Sequence, residues 1–276
     1  MNLFSPAEIT SNYVASGVQK TKYPAWKMLA LGLLAGAMIA LAAAASSTAA
    51  HDVANVGLAR LVSGLIFPFG LGMVVIMGAE LFTGACLIPI SVLEGRATLP
   101  GMLKNWLFVY AGNFIASILV AAGCAFSGQF GYSAGGLAAY TIKVAAGKCA
   151  LSFGGAVVMG ILCNVLVCLG VFMALSAKDA GGRMAGAYLP VALFVICGFE
   201  HSVANMYYIP AGLFALQNPA YAAKAAELGV HTGLLTWGNF FAANLLPVTI
   251  GNIIGGAGFA CVMWLCHLSK FARKNQ

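Results

Sequence analysis

Four side chains able to carry charge or exchange protons stand in or beside stretches that are otherwise apolar: Glu80, Glu200, His201 and Lys148. Ionisable groups in such a setting are costly to keep and are functional candidates by default. A single histidine in apolar surroundings is most often a hydrogen-bonded structural residue. His201 differs because it follows Glu200, sits in a segment interrupted by glycine and proline, and lies close to Asn205. Imidazole changes charge near neutral pH, so His201 is suited to donating a hydrogen bond or a proton to a small polar guest. The two glutamates suit another task. A wall of negative charge repels anions, whereas a carboxylate at a helix break can accept hydrogen bonds from free backbone N–H groups or a neighbouring asparagine. Glu80 and Glu200 are therefore read as structural carboxylates. Lys148, near the end of its apolar stretch, can raise the local concentration of anions.

These residues have to be positioned inside a membrane. Of 276 residues, 61% are hydrophobic and 8% charged, against roughly a quarter charged in a soluble domain. Several apolar runs exceed the ~20 residues needed to cross a bilayer core. They continue to the C-terminus, so one cleaved leader cannot explain them. Spans are expected at about 28–45, 56–93, 103–126, 151–175, 187–216 and 234–268. An N-terminal amphipathic helix precedes them. Ser5, Pro6 and Glu8 form a capping box with proline in the first turn, and Phe4 and Ile9 are placed for a hydrophobic staple. That helix is expected to reach about Gln19 and to lie on the membrane surface. Tyr23, Trp26, Trp106 and Tyr110 suit interfacial belts. With the N-terminus inside, ten basic residues (Lys20, Lys22, Lys27, Arg96, Lys104, Lys178, Arg183, Lys270, Arg273, Lys274) fall on the cytoplasmic side. Four (Arg60, Lys143, Lys148, Lys224) fall outside. The positive-inside rule then puts both termini in the cytoplasm, as an even number of spans requires.

The second and fifth spans are broken. Residues 56–93 contain Pro68, Gly70, Gly72, Gly78, Gly84 and Pro89; residues 187–216 contain Pro190, Gly198, Pro210 and Gly212. Gly78-Ala79-Glu80 echoes Gly198-Phe199-Glu200, and Gly112-Asn113 in the third span echoes Gly251-Asn252 in the sixth. The signals recur in the same order. With three spans per half, the halves insert with opposite orientation. The chain thus divides into an N-terminal helix (1–27), a three-span repeat (28–126), an extracytoplasmic connection (127–150), a second repeat (151–268) and a cytoplasmic tail (269–276). Broken helices at matching places in inverted repeats point to a transport site near the midplane. Tight helix packing accounts for scattered glycines, but not for glycine and proline clustered around Glu80 and Glu200.

Other classes fit poorly. The net charge of +7 flanks the apolar runs and forms no basic stripe with interleaved aromatics, so nucleic acid is not an expected partner. The eight cysteines form no close CxxC pair and read as small buried hydrophobes. No metal or other cofactor is expected, since His201 is the only histidine at depth. An intramembrane serine protease would need a Gly-x-Ser-Gly nucleophile, and Ser63-Gly64 and Ser127-Gly128 lack the preceding glycine. The chain is not read as an enzyme. A water or glycerol channel is the nearest rival by architecture, but Asn218-Pro219-Ala220 is a single triplet beyond the fifth span and reads as a turn.

The motifs resemble the formate/nitrite transporter family, most closely its formate channels. Glu80-Leu81-Phe82-Thr83 resembles the first signature, and residues 198–206 with Ile209-Pro210 the second. Residues 246–256 resemble the sixth span, Lys104-Asn105-Trp106 with Gly112-Asn113 the third, and Asn164 with Val167-Cys168-Leu169 the fourth. The resemblance covers nearly the whole chain. It implies an all-α membrane protein with an aquaporin-like protomer and a homopentamer in the cytoplasmic (inner) membrane. Each protomer would have its own pore for a small monovalent anion: formate, nitrite or hydrosulfide. It implies a central site of His201 and Thr83 with Asn164 nearby, and Lys148 in the outer vestibule. Phe67, Leu71, Phe82 and Phe194 match positions that form apolar constrictions on either side of the histidine. His201 could hydrogen-bond the anion or protonate it, so that it passes as a neutral weak acid together with a proton.

Overall fold

A computed structural model describes residues 3–274, leaving aside the side chains of Arg273 and Lys274 at the end of the basic tail counted above. Within these residues the chain is all-helical. The elements are α1 (Pro6–Lys22), α2 (Ala25–Ala50), α3 (Val56–Ile66), α4 (Phe69–Met77), α5 (Phe82–Ala85), α6 (Pro89–Leu93), α7 (Leu99–Phe126) and α8 (Tyr132–Cys149). They continue with α9 (Phe153–Ser176), α10 (Ala180–Cys197), α11 (Ser202–Leu216), α12 (Pro219–Glu227), the short α13 (Trp237–Asn239), α14 (Leu246–His267) and α15 (Lys270–Lys274). Six stretches are long and apolar enough to cross a membrane: Ala25–Ala50, Val56–Met77, Leu99–Phe126, Phe153–Ser176, Ala180–Cys197 and Trp237–Ala272.

The N-terminal helix begins as its sequence dictates. Ser5 N–H donates to Glu8 Oε2 at 2.7 Å, and Glu8 N–H donates to Ser5 Oγ at 3.3 Å. It extends a turn past Gln19, to Lys22. The amphipathic face meets protein: Ile9, Tyr13 and Val14 are buried in a cluster with Leu87, Ile90 and Phe172. Tyr13 Oη donates to the Gly84 carbonyl (3.1 Å), and Ser91 Oγ to that of Val14 (3.0 Å). The helix is thereby docked beneath the loop that carries Glu80 and Thr83, rather than only laid along a surface.

Two backbone crossings organise the bundle. α2 packs on α7 and α9 on α14. A Cβ at Gly32 would stand 2.8 Å from the Val109 carbonyl oxygen, and one at Gly160 2.8 Å from that of Val248. Such close approach needs small residues at the contact. Gly32 and Gly160 are equivalent in the two halves, as are Val109 and Val248, so the crossing is the same contact made twice. The second and fifth spans break at Gly78 (φ +64°) and Gly198 (φ +73°), the left-handed residues that end α4 and α10. Pro68 separates α3 from α4 because its ring cannot continue the helix hydrogen bonding. After each glycine the chain runs extended for three residues and restarts as a helix, α5 or α11. The Asn218 triplet begins α12: Asn218 Oδ1 accepts from Ala220 N–H (3.0 Å) and Pro219 takes the first helical position.

Candidate functional site

Each break leaves backbone groups that cannot face lipid, and the same device satisfies them in both halves. Asn113 Oδ1 accepts from Phe82 N–H (2.9 Å), while its Nδ2 donates to the carbonyls of Gly32 (2.7 Å) and Glu80 (3.0 Å). Asn252 Oδ1 accepts from Ser202 N–H (2.9 Å), while its Nδ2 donates to the carbonyls of Gly160 (2.8 Å) and Glu200 (3.0 Å). Glu80 N–H donates to Leu31 O, and Glu200 N–H to Met159 O. Side chains of the third and sixth spans thus pin the breaks in the second and fifth. The repeated Gly-Asn pairs in the sequence were the signal for these residues, although their task appears only in three dimensions.

Each carboxylate is held by a lysine. Lys148 Nζ lies 2.8 Å from Glu200 Oε1 and Lys20 Nζ lies 2.9 Å from Glu80 Oε1. Lys20, on α1, and Asn244 belong to the site and stood out from nothing in the sequence pattern. Glu200 also accepts from Asn205 Nδ2 (2.6 Å) and Asn244 Nδ2 (3.2 Å), in keeping with the expected asparagine partners. Asn244 comes within reach on a π-helical segment, Phe240–Leu245, the kind of local widening that recurs at functional sites. Glu80 departs from expectation. Asn113 binds its carbonyl and not its carboxylate, the N–H groups of Glu80 and Phe82 are bonded to Leu31 O and Asn113 Oδ1, and the carboxylate is paired with Lys20.

His201 is the N-cap of α11, and its Nδ1 accepts from Ala204 N–H at 3.0 Å. In neutral imidazole the other nitrogen then carries the proton. Nε2 faces Thr83 Oγ1 at 2.9 Å, so the ring presents an N–H toward the threonine. Asn164 bridges the inner loop to α14, with Nδ2 donating to the carbonyls of Thr83 (3.2 Å) and Asn252 (2.6 Å). His201 is 3% exposed and Thr83 and Asn164 are fully buried. Asn205 lies apart from this trio, on the carboxylate of Glu200.

A cavity of about 840 Å³ opens on one side of the histidine. Lys148, Arg60, Lys143 and Lys224 line it, and His201 is reached at its floor. Lys148 there is a paired cation, its charge offset by Glu200. Phe67 and Phe194 also line the cavity: their rings meet edge-on at 5.8 Å, and Phe194 stacks on the imidazole at 5.8 Å and 11°. Leu71, one helical turn beyond Phe67, is buried against Gly170. Phe82, expected at an apolar constriction to one side of the histidine, is the first residue of α5 and is buried. Its ring packs edge-on against Trp106 (6.1 Å) and Tyr110 (4.8 Å) and lines a lateral apolar groove with Phe114, Phe241 and Ile253. Asn113 fixes the Phe82 N–H, and the neighbouring Thr83 takes the place facing His201.

Inverted repeats with two pinned breaks, and a buried polar trio under a cation-lined vestibule, define a polytopic membrane transport protein. The formate/nitrite transporter family model matches residues 7–266. The chain is 37% identical to the formate channel FocA of Escherichia coli K12, across 98% of this chain and 96% of that one. It is 36% identical to a protein described as a probable formate transporter from Methanothermobacter thermautotrophicus, across 96% and 98%. A solved pentameric formate channel with formate bound superposes with a TM-score of 0.77 at 35% identity, covering 89% of this chain and 98% of that chain. The chain belongs to the formate/nitrite transporter family, a family of channels and not of enzymes.

Proposed function

We propose that the chain conducts formate, with His201 as the hydrogen-bond donor that meets the anion between apolar closures. The observation that carries this reading is the fixed imidazole: Nδ1 is occupied by Ala204 N–H, so Nε2–H is directed at Thr83 Oγ1. A small anion resists entering an apolar passage because desolvating an isolated charge is expensive. An oriented N–H and a hydroxyl offset part of that cost where the Phe67–Phe194 pair excludes water. Hydrogen bonding is the simpler role for this ring. Full proton donation requires an imidazolium, whose Nδ1–H would displace the Ala204 contact. Thr83 supplies the second donor, and Asn164 holds its carbonyl from behind. Arg60, Lys143 and Lys224 concentrate anions in the vestibule, and Lys148 adds only what its pairing with Glu200 leaves. Phe67, Phe194 and Leu71 form the closure on the vestibule side.

The working unit is a homopentamer of protomers that each carry a pore, a reading supported by the pentameric neighbour. It sits in the cytoplasmic membrane with both termini inside, because ten of fourteen basic residues fall on that face. The repeat boundaries at 28–126 and 151–268 are supported by the matched asparagine pins.

Stopped-flow uptake into proteoliposomes tests the reading with formate, nitrite, hydrosulfide and glycerol in parallel. Fast formate entry is expected. Losing a hydrogen bond to a charged guest, about 1.5–3 kcal/mol, should slow His201→Ala roughly ten- to a hundredfold. Fast nitrite or hydrosulfide with slow formate would reassign the cargo, and glycerol flux alone would overturn the anion reading.

A further inference from the structure

The carboxylate clusters of the two halves correspond residue by residue, with one exception. Lys148, Glu200 and Asn244 in the outer cluster are matched by Lys20, Glu80 and Asn105 in the inner one. Asn244 Nδ2 donates to the Lys148 carbonyl (3.0 Å), and Asn105 Nδ2 to the Lys20 carbonyl (3.4 Å). The exception is the fifth residue after each glutamate, Asn205 in the outer cluster and Ala85 in the inner one. Asn205 Nδ2 spends its two hydrogens on Glu200 Oε2 (2.6 Å) and Asn244 Oδ1 (2.7 Å). Ala85 has no such group. The two acceptors equivalent to those that Asn205 satisfies, Glu80 Oε2 and Asn105 Oδ1, are both buried and have no hydrogen-bond partner among the described residues. Glu80 is 3% exposed and Asn105 fully buried.

Neighbouring donors are committed elsewhere. Lys20 Nζ lies on Glu80 Oε1, Trp106 Nε1 donates to the Ala85 carbonyl, and Tyr13 Oη donates to the Gly84 carbonyl. Buried polar groups without a partner are rare and expensive. What the cluster requires is a compact group that gives two hydrogens to two acceptors.

We propose that the inner cluster is a binding site for one ordered water molecule, which donates to Glu80 Oε2 and Asn105 Oδ1 where the Asn205 amide stands in the outer cluster. Water matches the donor count, carries no charge to upset the Lys20–Glu80 pair, and is the small ligand that buried polar sites take up. The outer carboxylate is then closed by protein alone, whereas the inner one, beneath the loop that bears Thr83, is completed by solvent.

A structure of the full-length protein at a resolution that reveals ordered water tests this. The expected result is a density peak about 2.5–3.0 Å from both atoms. In Ala85→Asn the new amide should take the place of that peak and raise the thermal unfolding midpoint, and Asn205→Ala should gain a corresponding peak beside Glu200. An empty site in the unaltered protein would overturn the proposal whether or not Ala85→Asn folds. So would a direct hydrogen bond between Glu80 Oε2 and Asn105 Oδ1 accompanied by a protonated-carboxyl infrared band that disappears in Glu80→Gln, since one proton would then satisfy both acceptors.

Discussion

Removing the side chain of Asn252 tests whether the asparagine pins hold the breaks in place. Three hydrogen bonds depend on its amide. The Gly160 carbonyl lies inside α9 and retains its helical partner, so its loss matters least. Ser202 N–H and the Glu200 carbonyl stand at the break and would be stranded in a buried setting, at about 1–3 kcal/mol each. Asn252→Ala should therefore cost about 2–6 kcal/mol, a fall of roughly 5–20 °C in the unfolding midpoint for a chain of this size. Asn252→Leu, which conserves volume, should be no better, because the loss is one of partners and not of packing. Scanning fluorimetry of the detergent-solubilised protein gives the midpoints, and flux measured well below them gives the consequence for the site. His201 immediately precedes Ser202, so formate flux should fall further than stability alone accounts for. Asn113→Ala should behave alike, since it strands Phe82 N–H and the Glu80 carbonyl. A midpoint for Asn252→Leu equal to that of the unaltered protein would refute the reasoning.

Four further outcomes are expected. Gly198→Ala and Gly78→Ala should be destabilising to a similar extent: both force a side chain into the left-handed region, and the Cβ at 198 meets only the movable end of the Arg60 side chain while one at 78 meets open space; paired unfolding midpoints check this. Thr83→Ser should retain formate flux, whereas Thr83→Val, similar in size but without a hydroxyl, should lose roughly tenfold, about one hydrogen bond. Lys148→Met should destabilise by about 3 kcal/mol by leaving a buried carboxylate oxygen unpaired, and Glu200→Gln in the same chain should recover part of that, as a double-mutant cycle of midpoints would show. The Ser5 backbone and side chain hold the Glu8 carboxyl below its ordinary range. Its contribution to the start of α1 is therefore complete above the unfolded value and is lost as pH falls through the lower folded one; the protection of the first-turn amides of α1, taken as exchange relative to the intrinsic rate at each pH, should fall below about pH 4 and stay level in Glu8→Gln.

Much of the site could be read from the linear pattern because membrane burial makes polar residues conspicuous. In a chain this apolar, Glu80, Glu200 and His201 could stand at depth only with partners. Glycine and proline beside them marked where the helix had to stop, and the start of α1 followed from local hydrogen bonding at Ser5 and Glu8. The Gly-Asn echo announced the repeat. What folding alone decided is which polar atom meets which. Asn113 and Asn252 could have bound carboxylates or backbone, and the helix crossings place them on the backbone. Lys20 looked like one more cytoplasmic charge until α1 docked and brought it to Glu80. Phe82 and Thr83 are adjacent in sequence and leave the loop in different directions, one into a lateral groove and the other to the histidine. The tautomer of His201 depends on the N-cap geometry of α11, which no residue pattern specifies. Composition and periodicity determine where the chain lies and where it breaks, because those are properties of single residues in a solvent. The partners within the site are set by contacts between spans far apart in sequence, and those exist only once the two halves have packed.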